Sequence, residues 1–330
     1  MNIKTIAEIG SVHDGSLWNC LKLIELAKNC GADVVKFQYH IAEYETLTHA
    51  EGPSYFNDEK RFDYFERTSF TLNQWKKIIN HCKKKKIKFL CSVFSIESFK
   101  NLLSLGVKSF KLPSGEVTNL PLLDEMSKKK NIKIFLSTGM SNYKEIDKAY
   151  KILKNNKLVI MQCTSLYPCP NDKVCINVIK KLKNKYKFCE IGFSDHTIGN
   201  VSAILAIANG ATYFEKHLTF SRKMYGSDAQ FASEPDELSN YCESLKKAEI
   251  ILSKDVNKDD LRPLVQMRKI FQKSILYSNN LKKGKKITLK NVVFLKPDKG
   301  ISAQNYKSIL GKKIKRDVKK NEFVKYSDFS

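Results

Sequence analysis

What most constrains this chain is a repeat of form rather than of sequence. A short β-branched or apolar run is followed by a stretch of helical periodicity, and the pattern recurs along most of the chain. The strand-like runs are 3–9, 33–39, 88–94, 109–114, 133–138, 158–164, 189–195 and 213–219. The helical stretches are 17–30, 72–84, 96–105, 119–129, 142–153, 173–184, 199–209 and 236–252. Eight β–α units in about 250 residues is the arithmetic of an α/β chain closed into a TIM (β/α)8 barrel. The rival is an open doubly wound sheet, but no GxGxxG follows the first strand and no Walker sequence occurs.

The barrel accounts for residues 1–253 and leaves a remainder. Residues 254–272 are charged, carry a proline and read as a linker with one short helix. Residues 273–330 read as a small, mostly β module with a weak internal repeat. Leu281-Lys282-Lys283-Gly284, Ile287 and Asn291-Val292 recur 37 positions later as Val318-Lys319-Lys320-Asn321, Val324 and Asp328-Phe329. Each copy puts a Gly or Asn at a turn. So short a module has little core and is expected to dock against something. Within the barrel, the excursion at 41–70 is rich in aromatics and acids, too long for an ordinary connection, and reads as a functional loop or lid.

Composition excludes several classes. With 42% hydrophobic and 28% charged residues the chain is globular, not disordered or low-complexity. Nine cysteines without a CxxC pair argue against a disulfide framework or a structural zinc site. No apolar run approaches the ~18 residues of a membrane span, and the N-terminus lacks a signal-peptide core, so a soluble, cytoplasmic protein is expected. The net charge of +24 raises nucleic acid or an anionic membrane as partner. Yet 52 of the 58 basic residues are scattered lysines and six are arginines, which fits a solvated surface better than a nucleic-acid site.

The chemistry of a parallel barrel hangs from the C-terminal strand ends. Those ends carry Glu8, then Lys36 and Gln38, Ser92, then Lys111, Ser114 and Glu116, Ser137, then Ser165 and Tyr167, Ser194 and His196, and finally Glu215 and His217. One strand-end serine is ordinarily a helix cap, but eight polar ends together are hard to explain so. A lone strand histidine is usually a satisfied structural residue. His196 and His217 on neighbouring strands, beside Asp195 and Glu215, raise a divalent-metal site as the alternative. Lys36 and Lys111 aimed into one pocket repel unless an anion lies between them, which implies a phosphate- or carboxylate-bearing substrate. The serines suit its oxygens as donors.

AEIGSVHDGS (7–16), ADVVKFQ (32–38), KLPSGE (111–116), LSTGM (136–140), QCTSLYPCP (162–170), IGFSDHT (191–197), EKHLT (215–219) and GSD (226–228) resemble the sialic acid (nonulosonate, N-acylneuraminate) synthases. The resemblance runs in order along nearly the whole chain, and 273–330 looks like the antifreeze-like SAF domain. It implies condensation of phosphoenolpyruvate with an N-acyl hexosamine to a nine-carbon 2-keto-3-deoxy acid plus phosphate. Carried over by position, Lys36, Ser92, Lys111, Ser114, Ser137 and Ser194 would hold phosphoenolpyruvate. Gln38, Glu116, Tyr167 and Asp228 would hold the sugar. His196 and His217 would bind Mn²⁺ or Mg²⁺, Glu8 and Glu215 would be the acid/base carboxylates, and the chain would form a domain-swapped homodimer.

Two departures stand out. Where many members read Asn-His-Asn-Gly, this chain has Val12-His13-Asp14-Gly15, a change beside Glu8. Where many offer an Arg-Pro-Gly in the SAF domain, it has Lys296-Pro297-Asp298-Lys299-Gly300, a charge without a bidentate fork. A related barrel synthase using a sugar phosphate is the nearer alternative, although it would need further basic residues at the sugar end. A lysine-rich nucleic-acid binder is the farther one.

Overall fold

The computed structural model describes residues 2–52 and 59–330. The chain divides into two compact units, Met1–Lys254 and Asp255–Ser330. In the first, strands β1 (Lys4–Gly10), β2 (Val34–Tyr39), β3 (Lys88–Val93), β4 (Ser109–Leu112), β5 (Lys133–Ser137), β6 (Lys157–Gln162), β7 (Glu190–Ser194) and β8 (Tyr213–His217) pair in sequence order. All are parallel, and β8 closes onto β1. Around them lie α1 (Leu17–Asn29), α2 (Arg61–Thr68), α3 (Leu72–Lys84), α4 (Ile96–Ser104), α5 (Leu120–Ser127), α6 (Tyr143–Leu153), α7 (Asn177–Lys185), α8 (Val201–Ala208) and α9 (Pro235–Ser253). This is a TIM barrel.

Strand alternation sorts the residues. Ile6, Val34, Leu90, Phe135, Val159 and Met161 face inward and form a separate apolar floor with Tyr213. Two residues further along the same strands the inward row turns polar: Glu8, Lys36, Ser92, Ser137 and Glu215, all buried. The outward residues join the large shell between strands and helices. On β2, Phe37 and Tyr39 pack against Trp75 of α3 at ring distances of 6.0 and 5.1 Å. One strand thus seats its outer face in apolar packing and offers its inner face to chemistry.

The excursion is not wholly a loop. Its residues 53–58 lie outside the described residues, but 61–68 form α2, with Tyr64, Phe65 and Thr68 buried. Arg67 fixes that helix by donating to Glu59 at 2.7 Å and to Asp14 at 2.7 Å. Asp14, one of the residues that departs from the family pattern, therefore ties the loop after β1 to α2. Its neighbour His13 is buried against Phe70, and burial, followed by His40, pushes it down to about 3.

The second unit holds α10 (Val265–Phe271) and one antiparallel pair, β9 (Ser274–Tyr277) with β10 (Val292–Leu295). Beyond this pair its β pairing is made of single bridges between turns. The internal repeat is real in three dimensions. Leu281 and Val318 exchange both backbone hydrogen bonds at 3.0 Å. Gly284 and Asn321 share positive φ angles of 87° and 64°. Thr288 and Lys325 open equivalent turns closed by Asn291 and Asp328. Ile287 and Val324 are both buried in a core of its own.

Among the described residues no helix is long and apolar enough to cross a membrane. All nine cysteines are free. Trp75→Ala should destabilise the barrel by about 3–5 kcal/mol, the range for a buried large-to-small change. Urea denaturation monitored by far-UV circular dichroism measures this, and a loss below about 1 kcal/mol would show that the β2–α3 seam does not carry that packing.

Candidate active site

The strand register brings the inward polar residues side by side. Glu8 is paired with Lys36 and with His217, Ser92 with Gln38 and with Lys111, and Ser194 with Glu215. Lys36 Nζ lies 3.0 Å from Glu8 Oε1 and 3.6 Å from Glu215 Oε1, and donates to Ser92 Oγ at 3.1 Å. Lys111 Nζ donates to Glu215 Oε1 at 2.6 Å. Ser194 Oγ donates to the same oxygen at 2.9 Å. The anion expected between the two lysines is thus the chain's own Glu215. Repulsion between Lys36 and Lys111 therefore does not by itself require an anionic substrate.

The charges respond accordingly. Burial alone would raise Glu215, but Lys111 and then Lys36 hold it well below the usual carboxylate range. Burial works to lower Lys36, while Glu215 and Glu8 together carry it above its ordinary value. Burial pulls Lys111 below its ordinary value despite Glu215.

His196 and His217 face each other across the ends of β7 and β8, ring centroids 5.9 Å apart. His196 Nδ1 pairs with the carbonyl of Thr164 at 2.8 Å, so that nitrogen is the N–H and Nε2 is left to accept. Burial, and then His217, lower His196 to about 3, so the ring is neutral. His217 Nδ1, Glu8 Oε2, Glu215 Oε2 and Ser137 Oγ are buried without a hydrogen-bonding partner among the described residues. Buried polar atoms are rarely left so. Among the described residues no three His, Cys, Asp or Glu side chains form a ready-made metal cage. Two facing imidazoles with unpartnered nitrogen and oxygen atoms nearby fit a divalent ion that takes its remaining ligands from substrate and water. Asp195 does not belong to this group. Out of phase with its neighbours, it pairs with Lys216 at 3.3 Å and accepts from Thr197.

The strand-end serines are not helix caps. Caps fall instead on Ser16, Thr71, Ser95, Asn119 and Asn142. Ser114 Oγ accepts from Gly139 N at 3.1 Å and lies 3.3 Å from Cys163 Sγ. A Cβ on Gly139 would come within 2.8 Å of Ser114, Cys163 and Ser165, so these groups line a polar recess that only glycine leaves open.

Among the sugar candidates, Gln38 Nε2 donates to Glu8 Oε1 at 2.8 Å. Asp228 Oδ2 accepts from Ser11 N at 2.9 Å, where Gly10, at φ 54°, admits it. A Cβ on Gly10 would lie 2.1 Å from that oxygen and 3.3 Å from Gln38. Glu116 is raised by burial and accepts from Asn119 at 2.7 Å. The Tyr167 ring stands 4.2 Å from that of His196. Lys296 belongs to the second unit, with its ammonium 4.9 Å from the Phe271 ring.

Two residues went unread in the sequence. His40 continues the inward row Lys36, Gln38, and its Nε2 lies 3.1 Å from Gln38 Oε1. Glu45 holds its other nitrogen at 2.7 Å. The period of two was the signal for His40, whereas nothing in the sequence pointed to Glu45.

Residues 23–257 match the NeuB family and residues 272–330 the SAF domain. The chain belongs to the NeuB family. It is 36% identical to the N,N'-diacetyllegionaminic acid synthase of Campylobacter jejuni, over 97% of this chain and 98% of that one. It is 30% identical to the Legionella pneumophila protein of the same name, over 95% and 90% of the two chains. The crystal structure of the N-acetylneuraminic acid synthetase of Leptospira borgpetersenii, solved with citrate, is similar at a TM-score of 0.71. It shares 27% identity, over 81% of this chain and 92% of that one. The NeuB-family chain is therefore a condensing enzyme of the sialic acid synthase kind.

In this NeuB-family barrel, Glu215→Gln removes the charge that neutralises Lys111 and that Lys36 shares with Glu8. Stability should fall by about 3–5 kcal/mol, as for any broken buried ion pair. Inorganic phosphate should restore part of it, so Tm of the variant should rise with phosphate more steeply than that of the unaltered protein. Equal phosphate dependence of both in a thermal-shift titration would argue against an anion site between the lysines.

Proposed function

We propose that the enzyme joins phosphoenolpyruvate to an N-acyl hexosamine, N-acetylmannosamine or a related mono- or di-N-acetylated amino sugar. The products are a nine-carbon 2-keto-3-deoxy acid and phosphate. The observation that carries this reading is the buried set Glu8, Lys36, Lys111 and Glu215 beside the His196–His217 pair. It sits at the strand ends of a family member whose relatives are named for such acids. The acids Glu116 and Asp228 at the sugar end favour an uncharged amino sugar over a sugar phosphate.

In this reading Lys36 and Lys111 hold the anionic groups of phosphoenolpyruvate, with Ser92, Ser114, Ser137 and Ser194 donating to its oxygens. Gln38, Glu116, Tyr167 and Asp228 hold the open-chain sugar so that its C1 lies in reach of the enol carbon, which removes orientational freedom before reaction. A Mn²⁺ or Mg²⁺ ion between His196 and His217 would supply Lewis-acid polarisation of the C1 aldehyde. C3 of phosphoenolpyruvate bonds to C1, the aldehyde oxygen gains a proton, and C2 is left electron-poor. Water adds at C2 and loses a proton, for which Glu215 or Glu8 is the acceptor. The tetrahedral adduct then expels phosphate from C2, the C2 hydroxyl proton leaving with it, and the ketone remains. The enzyme would act in the cytoplasm without a nucleic-acid partner.

A panel of N-acyl hexosamines with phosphoenolpyruvate, read by phosphate release and product mass, tests the reaction. At least one sugar should release phosphate with formation of a nine-carbon acid, and none doing so would reject the reading. Chelation should abolish turnover, and Mn²⁺ or Mg²⁺ should restore it. His217→Ala should stay folded by circular dichroism and lose turnover, whereas full activity in excess chelator would remove the metal.

We also propose that the second unit completes the sugar site of another copy, with Lys296 supplying charge there. Glu215→Ala and Lys296→Ala homodimers should each be impaired. Mixing them should restore part of the activity, because some hybrid sites would hold both intact residues. A fully active monomer by sedimentation, or no recovery on mixing, would reject the exchange.

A further inference from the structure

The side-chain amide of Gln38 has two different ends, and only its nitrogen can donate to a carboxylate. Nε2 donates to Glu8 Oε1 at 2.8 Å, which leaves Oε1 facing His40 Nε2 at 3.1 Å. Turned over, the amide would set a carbonyl oxygen against Glu8. What selects between the two orientations is the group on the other side, His40.

His40 is itself tightly held. Its Nδ1 lies 2.7 Å from Glu45 Oε2, and the other oxygen of Glu45 accepts from Ile41 N at 2.6 Å. The ring is stacked between Phe65 of α2 at 3.8 Å and Phe94 at 4.0 Å. Both side chains of the pair are buried. With Gln38 Nε2 committed to Glu8, the ring nitrogen opposite Gln38 Oε1 can only donate to it. A buried histidine and glutamate carry a desolvation cost, and between two phenyl rings an apolar residue would fill the same space without it. The pair also acts electrostatically on Glu116 and His13, but its hydrogen bond toward the barrel interior goes to Gln38.

We propose that His40, held by Glu45, is a positioning residue that fixes the Gln38 amide with its nitrogen aimed at Glu8. This deepens the reaction proposed above and rests on it for its catalytic consequence. The chain of contacts runs from Glu45 through His40 and Gln38 to Glu8, and so links the loop after β2 to the interior charge network. Because Phe65 forms one wall of the slot, α2 also has a mechanical hold on that orientation.

Two substitutions of opposite sense test it. His40→Phe keeps an aromatic ring between Phe65 and Phe94 but has no donor. His40→Gln loses the stack but keeps an N–H near the position of Nε2. His40→Phe should lower kcat about tenfold or more, the scale seen when groups behind a site are removed, with KM for phosphoenolpyruvate changed less than about twofold. Its crystal structure should show the Gln38 amide turned, or its contact with Glu8 longer than a hydrogen bond. His40→Gln should retain more kcat than His40→Phe while being the less thermally stable of the two. A residue that merely fills space gives the reverse ranking of kcat. That reverse ranking, or a His40→Phe crystal structure with Gln38 still donating to Glu8, overturns the proposal. If His40→Phe does not fold because Glu45 is left unpaired, His40→Phe with Glu45→Gln is read in the same two ways. Failure of the unaltered enzyme to release phosphate with any sugar rejects the reaction instead, and the crystallographic comparison still decides the positioning claim.

Discussion

Two lysines and two glutamates share the interior of a closed barrel, and nearly everything at its mouth is arranged around them. A single ion moved from water into such a place would cost several kcal/mol. Lys36 against Glu8 at 3.0 Å and Lys111 against Glu215 at 2.6 Å offset that cost in pairs. Ser92 and Ser194 take up further hydrogen-bonding capacity of the same groups. The pairing depends on register, since Glu8 stands beside Lys36 only because β1 and β2 meet as they do. A slip of one residue would send each charge into the apolar shell outside the strands. The apolar floor of Ile6, Val34, Leu90, Phe135, Val159 and Met161 lies beneath this layer and helps exclude water from it.

The alternation that builds this layer is also what made the site legible. Residues two apart share a face, so a chain with apolar strand centres and polar strand ends declares both the barrel and its working end. The same rule separates Ser194 and His196, which face inward, from Asp195, which turns outward to Lys216. Asp195 adjoins both in sequence but not in phase, so proximity alone misplaces it. By the same phase His40 continues the row of Lys36 and Gln38. Which charges would neutralise which was not legible, because Glu215 reaches Lys111 from a strand four places away in the chain and only closure of the barrel makes them neighbours. Helix α2 was missed for a different reason. It is short, its ordering depends on Arg67, Tyr64 and Phe65 meeting distant partners, and local pattern carries little of that.

In the second unit the repeat of 37 residues was legible because turn residues recur at fixed offsets. Its strand-like pieces are short. Each half contributes single bridges and tight turns, so side-chain packing of Ile287, Val324 and their neighbours replaces a long hydrogen-bonded ladder. Asp328 shows how the symmetry is broken. Among the described residues the side chain of its equivalent Asn291 closes only its own turn, while Asp328 is buried and also takes Arg316 at 2.8 Å and Tyr277 at 3.1 Å. One half of the pseudo-symmetric module is thereby fastened by charge, and the other is left with a neutral amide.

The interior charges leave a definite task for any anion that enters. Glu215 Oε1 already serves Lys111, Lys36 and Ser194, while Oε2 of the same carboxylate has no hydrogen-bonding partner among the described residues. A phosphate or carboxylate approaching the lysines competes for the same ammonium groups. It gains their attraction only by loosening the contacts that hold Glu215 far below its ordinary range. In the proposed reaction the competition is useful. A carboxylate partly released from its lysines becomes a better proton acceptor at the moment water must lose a proton near C2. Glu8 is placed differently, tied to Lys36 on one side and to Gln38 on the other. Two carboxylates in one layer therefore answer an incoming anion unequally, Glu215 through both lysines and Glu8 through Lys36 alone.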